Sequence, residues 1–342
     1  MKSPAISSKG LSLKNIKNSK AFQKATDMGP FSIMVHKEVA DHIRSWRFMI
    51  LIGLVVLTFF ASMYVSLSNI KNAVNNINDP DRFFLYLKLL TTTDNTLPPF
   101  HVFLNFLGPL LGISLGFDAI NAEQNGGTLT RLMAQPVYRD NLLLSKFVSA
   151  LIVVSVLFLS LALLMMGGGL IITGVRMEPQ EFLRILAFVF ISVVYVAFWL
   201  SLSILLSVIF KQAATSALTA IGIWLFFTVF YQIVVNIIIR AFFPDTDFLT
   251  QAQIQAYNEL VLTFYRLSPG QLYSDATTTL LMPSVRSLGP LTMEQLIGAI
   301  PSPLSFTQSL LIVWPQVSGL TAATVVCFAL SYYLFMRREI RS

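Results

Sequence analysis

The residues whose types and spacing suggest a specific task lie in one polar stretch, Asn121-Ala-Glu-Gln-Asn-Gly-Gly-Thr-Leu-Thr-Arg-Leu-Met-Ala-Gln-Pro-Val-Tyr-Arg-Asp140. Gly126-Gly127 lets the chain turn sharply. Thr128 has the side chain of a helix N-cap, and Pro136 stops the helix that follows. Between them Leu129, Leu132 and Met133 recur at i, i+3 and i+4, so they form a short apolar ridge. Glu123 and Arg139 flank the ridge, and Asp140 is placed to cap whatever helix comes next. The chemistry on offer is non-covalent. A two-turn helix is unstable alone in water, but one held at both ends could plug its ridge into a groove of another protein. A plain reverse turn with no partner accounts for the spacing equally well.

Other chemistries are missing. His36, His42 and His101 are the only histidines, and none has metal-ligand spacing or the partners of a catalytic triad. Cys327 is the single cysteine, so no intramolecular disulfide can form. No Gly-x-x-x-x-Gly-Lys-Ser/Thr loop is present to cradle ATP phosphates, so any ATP hydrolysis is expected on a separate chain. Asp118 is an acid near the end of an apolar run. It is either paired with a basic residue such as Arg44 or Arg47 or available to a proton or substrate. Just before it, Gly108, Gly112 and Gly116 recur every four residues. With Asn105, Ala119 and Glu123 they fall within an arc of about 80°. Such a stripe lets a second helix approach closely, and it predicts that Glu123 ties the polar stretch to that same neighbour. The bland alternative is that glycine is simply frequent in such helices. Gly167-Gly168-Gly169 reads as a bend or a hinge. Ala213, Ala214, Ser216, Ala217 and Ala220 present another small-residue surface.

These residues must be positioned by apolar elements. Of 342 residues 55% are hydrophobic and only 12% are charged, about half the roughly 25% of a soluble protein. Mean hydropathy is +0.68. So few charges cannot cover a water-exposed surface, and disorder, coiled coil and disulfide scaffold are excluded as well. Six stretches reach the roughly 20 residues needed to cross a bilayer: 48–67, 102–120, 142–172, 183–210, 213–239 and 309–336. The fourth has Arg184 at its edge, and the third has Lys146 near its start. The fold predicted is all-α and integral to the membrane.

Charge distribution predicts the orientation. With the N-terminus inside, the inner segments hold 16 of the 24 Lys and Arg: nine from Lys2 to Arg47, then Arg131, Arg139, Lys146, Lys211, Arg337, Arg338 and Arg341. Both termini are therefore expected in the cytoplasm, and the net charge of +7 is a marker of topology. Residues 1–29 form a basic tail without the apolar core of a signal peptide. Residues 30–47 read as an amphipathic elbow helix in the interface, with Ile33, Val39, Ile43 and Trp46 toward lipid. The six-span domain covers 48–340, with the cytoplasmic loop at 121–141. Residues 241–308, interrupted by six prolines, read as a small helical cap outside the membrane.

Glu123, Gly127-Thr128-Leu129, Leu132, Pro136, Arg139 and Lys146 resemble the signature of type-2 ABC transporter permeases. That signature runs Glu, Gly-Thr-Leu, Leu, Pro and Arg, with a Lys opening the third span. The layout of elbow, six spans, cytoplasmic helix and outer helices is similar over 30–340. Ala197-Phe-Trp-Leu-Ser-Leu-Ser203, the tight Lys211 turn and Leu267-Ser-Pro-Gly270 resemble the branch with permeases for nitrous-oxide-reductase maturation and bacterial gliding. The resemblance implies a plasma-membrane permease subunit, paired with a second permease, each docking a cytoplasmic ABC ATPase. ATP and Mg would sit on that partner. The helix around Thr128 to Ala134, with Met133, would be the coupling helix, pushed when the ATPases close, and an exporter is the expected direction. A rival reading is an ATP-driven mechanical or signalling transducer that acts on an outer partner through the 241–308 cap. A secondary transporter would be expected to show buried charges or paired broken helices, and a membrane enzyme a polar catalytic set; neither is visible.

Overall fold

The computed structural model describes residues 29–75, 84–92, 97–127, 139–242, 257, 260–284 and 303–337. Among them all regular structure is helical. In chain order the helices are α1 (Pro30–Arg44), α2 (Trp46–Asn75), α3 (Leu85–Thr91), α4 (Phe100–Gly116), α5 (Asn121–Asn125), α6 (Arg139–Thr173) and α7 (Pro179–Ile209). They continue with α8 (Ala213–Leu225), a π-helical turn (Phe226–Phe230), α9 (Tyr231–Phe242), α10 (Pro269–Leu281) and α11 (Phe306–Arg337). Six segments are long and apolar enough to span a membrane: Trp46–Ser68, Phe100–Asn125, Arg139–Thr173, Pro179–Ile209, Ala213–Ala241 and Phe306–Arg337. The chain is an all-α, multi-pass membrane protein. The basic tail to residue 28, the Asn-rich part of the first outer loop at 76–83, the ridge at 128–138, and 243–256 and 285–302 of the predicted cap lie outside the described residues.

The organising element is α7. It packs on α11, α4, α6 and α10, and 67% of its most apolar window is buried against 11% for the fifth span. The fourth span is thus the protein's own core, and the fifth is a peripheral wall. With lipid as apolar as the helices, their association depends on close packing and interhelical polar contacts, and α4 and α7 have both. A Cβ on Gly112 would lie 2.8 Å from Leu200 N and Val196 O, and one on Gly116 would lie 2.9 Å from Ser203 Cβ. Only hydrogen fits at either position. Ser203 Oγ donates to Ile113 O at 3.2 Å along the same seam. Pro109 sits inside α4. Its ring nitrogen has no hydrogen to give the carbonyl of Asn105, and the Tyr195 hydroxyl takes that place at 3.0 Å.

Gly167-Gly168-Gly169 lies within α6, which runs unbroken from Arg139 to Thr173. Gly168 and Gly169 admit Met63, Tyr86 and Leu89 to the helix surface. Helix α10, from the segment read as a cap, packs on α7, α11 and α4. Tyr273 is fully buried, stacks on Tyr195 midway along α7 with centroids 4.4 Å apart, and shares a 2.9 Å hydrogen bond with Ser192. Residues 260–265 lead into it alongside α9, where Tyr231 donates to Phe264 O and Tyr265 to Asn236 Oδ1. Together they form a helical hairpin that dips between the spans.

Candidate coupling site

The polar stretch enters the bundle through α5 and leaves it at the start of α6. Between α4 and α5 the helix is interrupted by a turn at 117–120, where Ala119 N reaches back only three residues to Gly116 O. This break sets the direction of Glu123. Instead of following the glycine stripe onto α7, Glu123 faces Lys146 of α6 at 2.8 Å. Lys146 also pairs with Glu38 of α1 at 3.0 Å. The expectation that Glu123 joins the neighbour of the glycine stripe is therefore corrected: the stripe meets α7, while Glu123 pairs with Lys146 of α6, which in turn pairs with Glu38 of α1. The cause is the lost helical phase across 117–120.

The three side chains form a buried node, with Lys146 7% and Glu38 8% exposed. Each acid alone would be costly to bury. Burial raises the pKa of Glu38, but Lys146 and Lys37 outweigh it and hold the carboxyl below its ordinary range. For Lys37, 3.2 Å from Glu38, burial acts downward, yet the Glu38 carboxylate wins and the ammonium is raised. Asp118 is paired with Arg47 at 2.9 Å. A cleft of about 400 Å³ opens onto both pairs, with His42, Asp41 and Ser45 on its α1 side.

The same loop is fastened to α7 and its tight turn. Ser207 Oγ accepts from Ile120 N at 3.0 Å and Asn121 N at 3.3 Å, so a hydroxyl satisfies amides left free where the helix restarts. Asn125 Nδ2 donates to Lys211 O at 2.9 Å. Gly127 adopts φ 65°, the left-handed conformation that glycine accepts without penalty, and the chain turns there. Arg139 opens α6. Thr128, Leu129, Leu132, Met133 and Pro136 lie outside the described residues. Both ends of the ridge are therefore anchored, one through Glu123, Asn121 and Asn125, the other through α6 and Lys146.

Glu38 and Ser207 were not singled out from the sequence, where Glu38 looked like one charge on the wet face of an amphipathic helix. Arg184 was read as a residue at a span edge, yet it is fully buried. It donates to Leu280 O at 2.9 Å, Ser309 Oγ at 3.0 Å and Leu304 O at 2.7 Å. One guanidinium thus clasps the end of α10 and the start of α11 to α7. One turn earlier, Glu181 accepts from Tyr86 N at 2.8 Å. Among the described residues no group of three or more His, Cys, Asp or Glu could hold a metal ion.

Six spans around a central α7, with a polar loop whose described flanks are tied to α1, α6 and α7, define a multi-pass membrane protein. The chain belongs to the ABC-2 family transporter proteins, whose family model matches residues 32–340. It is similar to a probable ABC transporter permease protein NosY of Stutzerimonas stutzeri, 26% identical over 235 residues, which covers 68% of this chain and 76% of the relative. It is also similar to the probable ABC transporter permease protein NosY of Pseudomonas aeruginosa, 32% identical over 133 residues. That match spans 37% of this chain and less than half, 46%, of the relative.

Proposed function

We propose that this chain is the transmembrane subunit of an ATP-driven ABC exporter, coupled through residues 121–141 to a separate cytoplasmic ATPase. The second permease of the pair, the plasma-membrane location and the cytoplasmic termini belong to the same reading. ATP and Mg are held by the ATPase, and this chain carries no catalytic step. The observation that carries the proposal is the Glu123–Lys146–Glu38 node. A push on the loop at 128–138 meets no slack on its N-terminal side, because Glu123 passes it to α6 and α1 while Asn121 and Asn125 pass it to α7 and the Lys211 turn. A plain surface turn would need none of these attachments. Family membership and the similarity to probable ABC transporter permeases support the reading.

The test uses membranes holding the chain together with its ATPase. Replacing Leu129 and Leu132 by Asp is expected to abolish co-purification of the ATPase and the part of its activity that depends on the permease. If binding and activity both survive, the assignment of the ridge as the coupling helix is wrong.

A further inference from the structure

We infer that the cavity between α4, α7, the π turn and the dipping hairpin is a binding site for an uncharged, hydroxyl-rich group of the sugar or glycerol type. The inference rests on the permease reading for its meaning, since it assigns a chemical class to the cargo or to a bound lipid. The cavity measures about 310 Å³, at the small end of the roughly 300–1,000 Å³ of ligand sites.

None of the described residues that line it is charged. The nearest charges, Asp275 behind Gln271 and Arg266, pair with each other, so an ion would meet no lining side chain of opposite charge, which is unfavourable. A purely apolar molecule fits no better, because it would strip water from the amides and hydroxyls on the wall. The Gln232 amide and the hydroxyls of Ser268 and Ser274 line the cavity and make no hydrogen bond to any described residue. Trp199 and Tyr231 also line the cavity. Amide and hydroxyl edges beside flat rings suit a group that presents C–H on its faces and O–H around its rim.

The walls look built for occupancy. At the floor, Tyr195 hydroxyl is fixed between the carbonyl and the side-chain oxygen of Asn105, each at 3.0 Å, where Pro109 has freed the carbonyl. Gly270 lies beside them: a Cβ there would sit 3.3 Å from Asn105 Oδ1 and 3.6 Å from Tyr195 Oη. A side chain would fill the space that glycine leaves. The π turn supplies Phe227 and Thr228 to the wall, and such turns inside α-helices are frequent at functional sites. Gln232 and Asn236 follow Thr228 at four-residue steps, so the polar edge continues along α9.

The same chemistry could arrive on a lipid or in free form, and the test separates the two. The full chain with its ATPase is reconstituted in nanodiscs of phosphatidylethanolamine and phosphatidylglycerol. One arm adds monoglucosyl diacylglycerol and reads retention by native mass spectrometry; the other titrates maltose and reads saturable quenching of tryptophan fluorescence. Binding in the first arm assigns a lipid-borne headgroup, and binding in the second a free sugar. Gln232→Leu, on the exposed side of α9, should weaken the positive arm about tenfold, and Gly270→Val should abolish it. The inference is overturned if neither probe binds, if phosphatidylethanolamine is retained as well as the glycolipid, or if Gln232→Leu binds like the parent. Neither readout uses ATP hydrolysis, so loss of the sugar site leaves the coupling reading standing, and failure of the Leu129 and Leu132 experiment leaves the site standing.

Discussion

The two ends of the bundle are held by different kinds of charge. At the end that carries the loop, Lys146 is shared by Glu38 and Glu123, so ions of both signs meet beside an open cleft. At the other end the guanidinium of Arg184 donates to two carbonyls and a hydroxyl of α10, α11 and the residues before it. The first arrangement can be rearranged, because Glu38 has a second cation, Lys37, at 3.2 Å and the node borders a cleft. The second is geometrically fixed, because a planar fork matches three acceptors at set positions. A transmission joint at the loop and a stiff clasp on the hairpin are what the difference suggests, and each can be broken separately.

The largest effect is expected from Lys146→Met. It removes the cation that both buried carboxylates share, and breaking such a pair leaves charge uncompensated at a cost of about 3–5 kcal/mol. Thermal unfolding in detergent should show it. Adding Glu38→Gln and Glu123→Gln to the same chain should recover most of the loss, because the repulsion then has no source. A triple variant as unstable as Lys146→Met would mean that lysine packing, and not charge, holds the node.

Arg184→Lys should cost less, about 2 kcal/mol, since an ammonium keeps the charge but cannot reach all three acceptors of the fork. The loss should be local. Hydrogen exchange should quicken at the end of α10 and the first turn of α11, while α1 and α5 keep their protection. Equal loosening at both ends would erase the distinction between joint and clasp.

How much of this was legible in sequence follows from the range of the forces. The six spans were, because burial in lipid is written into consecutive residues; the structure mainly lengthens them. The Asp118 pairing with the elbow was too, since the acid stood near the same membrane face as Arg44 and Arg47. The partner of Lys146 was not. Glu38 lies 108 positions away, and the periodicity of α1 assigned its polar face to water. Glu123 was misdirected because helical phase was carried across 117–120, where the helix breaks. The packing of α10 on α7 was not legible either, because the six prolines of 241–308 pointed only to a broken helical segment. In the folded chain the hydroxyls of Thr277 and Thr279 donate to Tyr273 O and Asp275 O at 2.9 Å each, which lets them be fully buried. The Glu-x-x-Arg at 181–184 opening an apolar span was the one available signal for the clasp.

The smallest effect separates the two ends by pH. His42 lies in the inner cleft with its Nε2 buried and making no hydrogen bond. Burial is the main cause that lowers its pKa from 6.5; Lys146 adds to it, while Glu38, Asp118 and Asp41 oppose. A histidine depressed in this way adds stability that is complete above 6.5 and is lost as pH falls through its folded value. Glu38 is held below 4.5, so its own contribution is complete above 4.5 and persists down to more acidic conditions. Between pH 7.5 and 5.5 it is therefore His42, and not Glu38, whose burial makes this end sensitive to pH. Hydrogen exchange in α1, corrected for intrinsic rates, should quicken over that interval by less than the equivalent of about 1.4 kcal/mol. His42→Asn should flatten the response. A response of the same size in the Asn variant would place the titrating group elsewhere and leave His42 without a part in it.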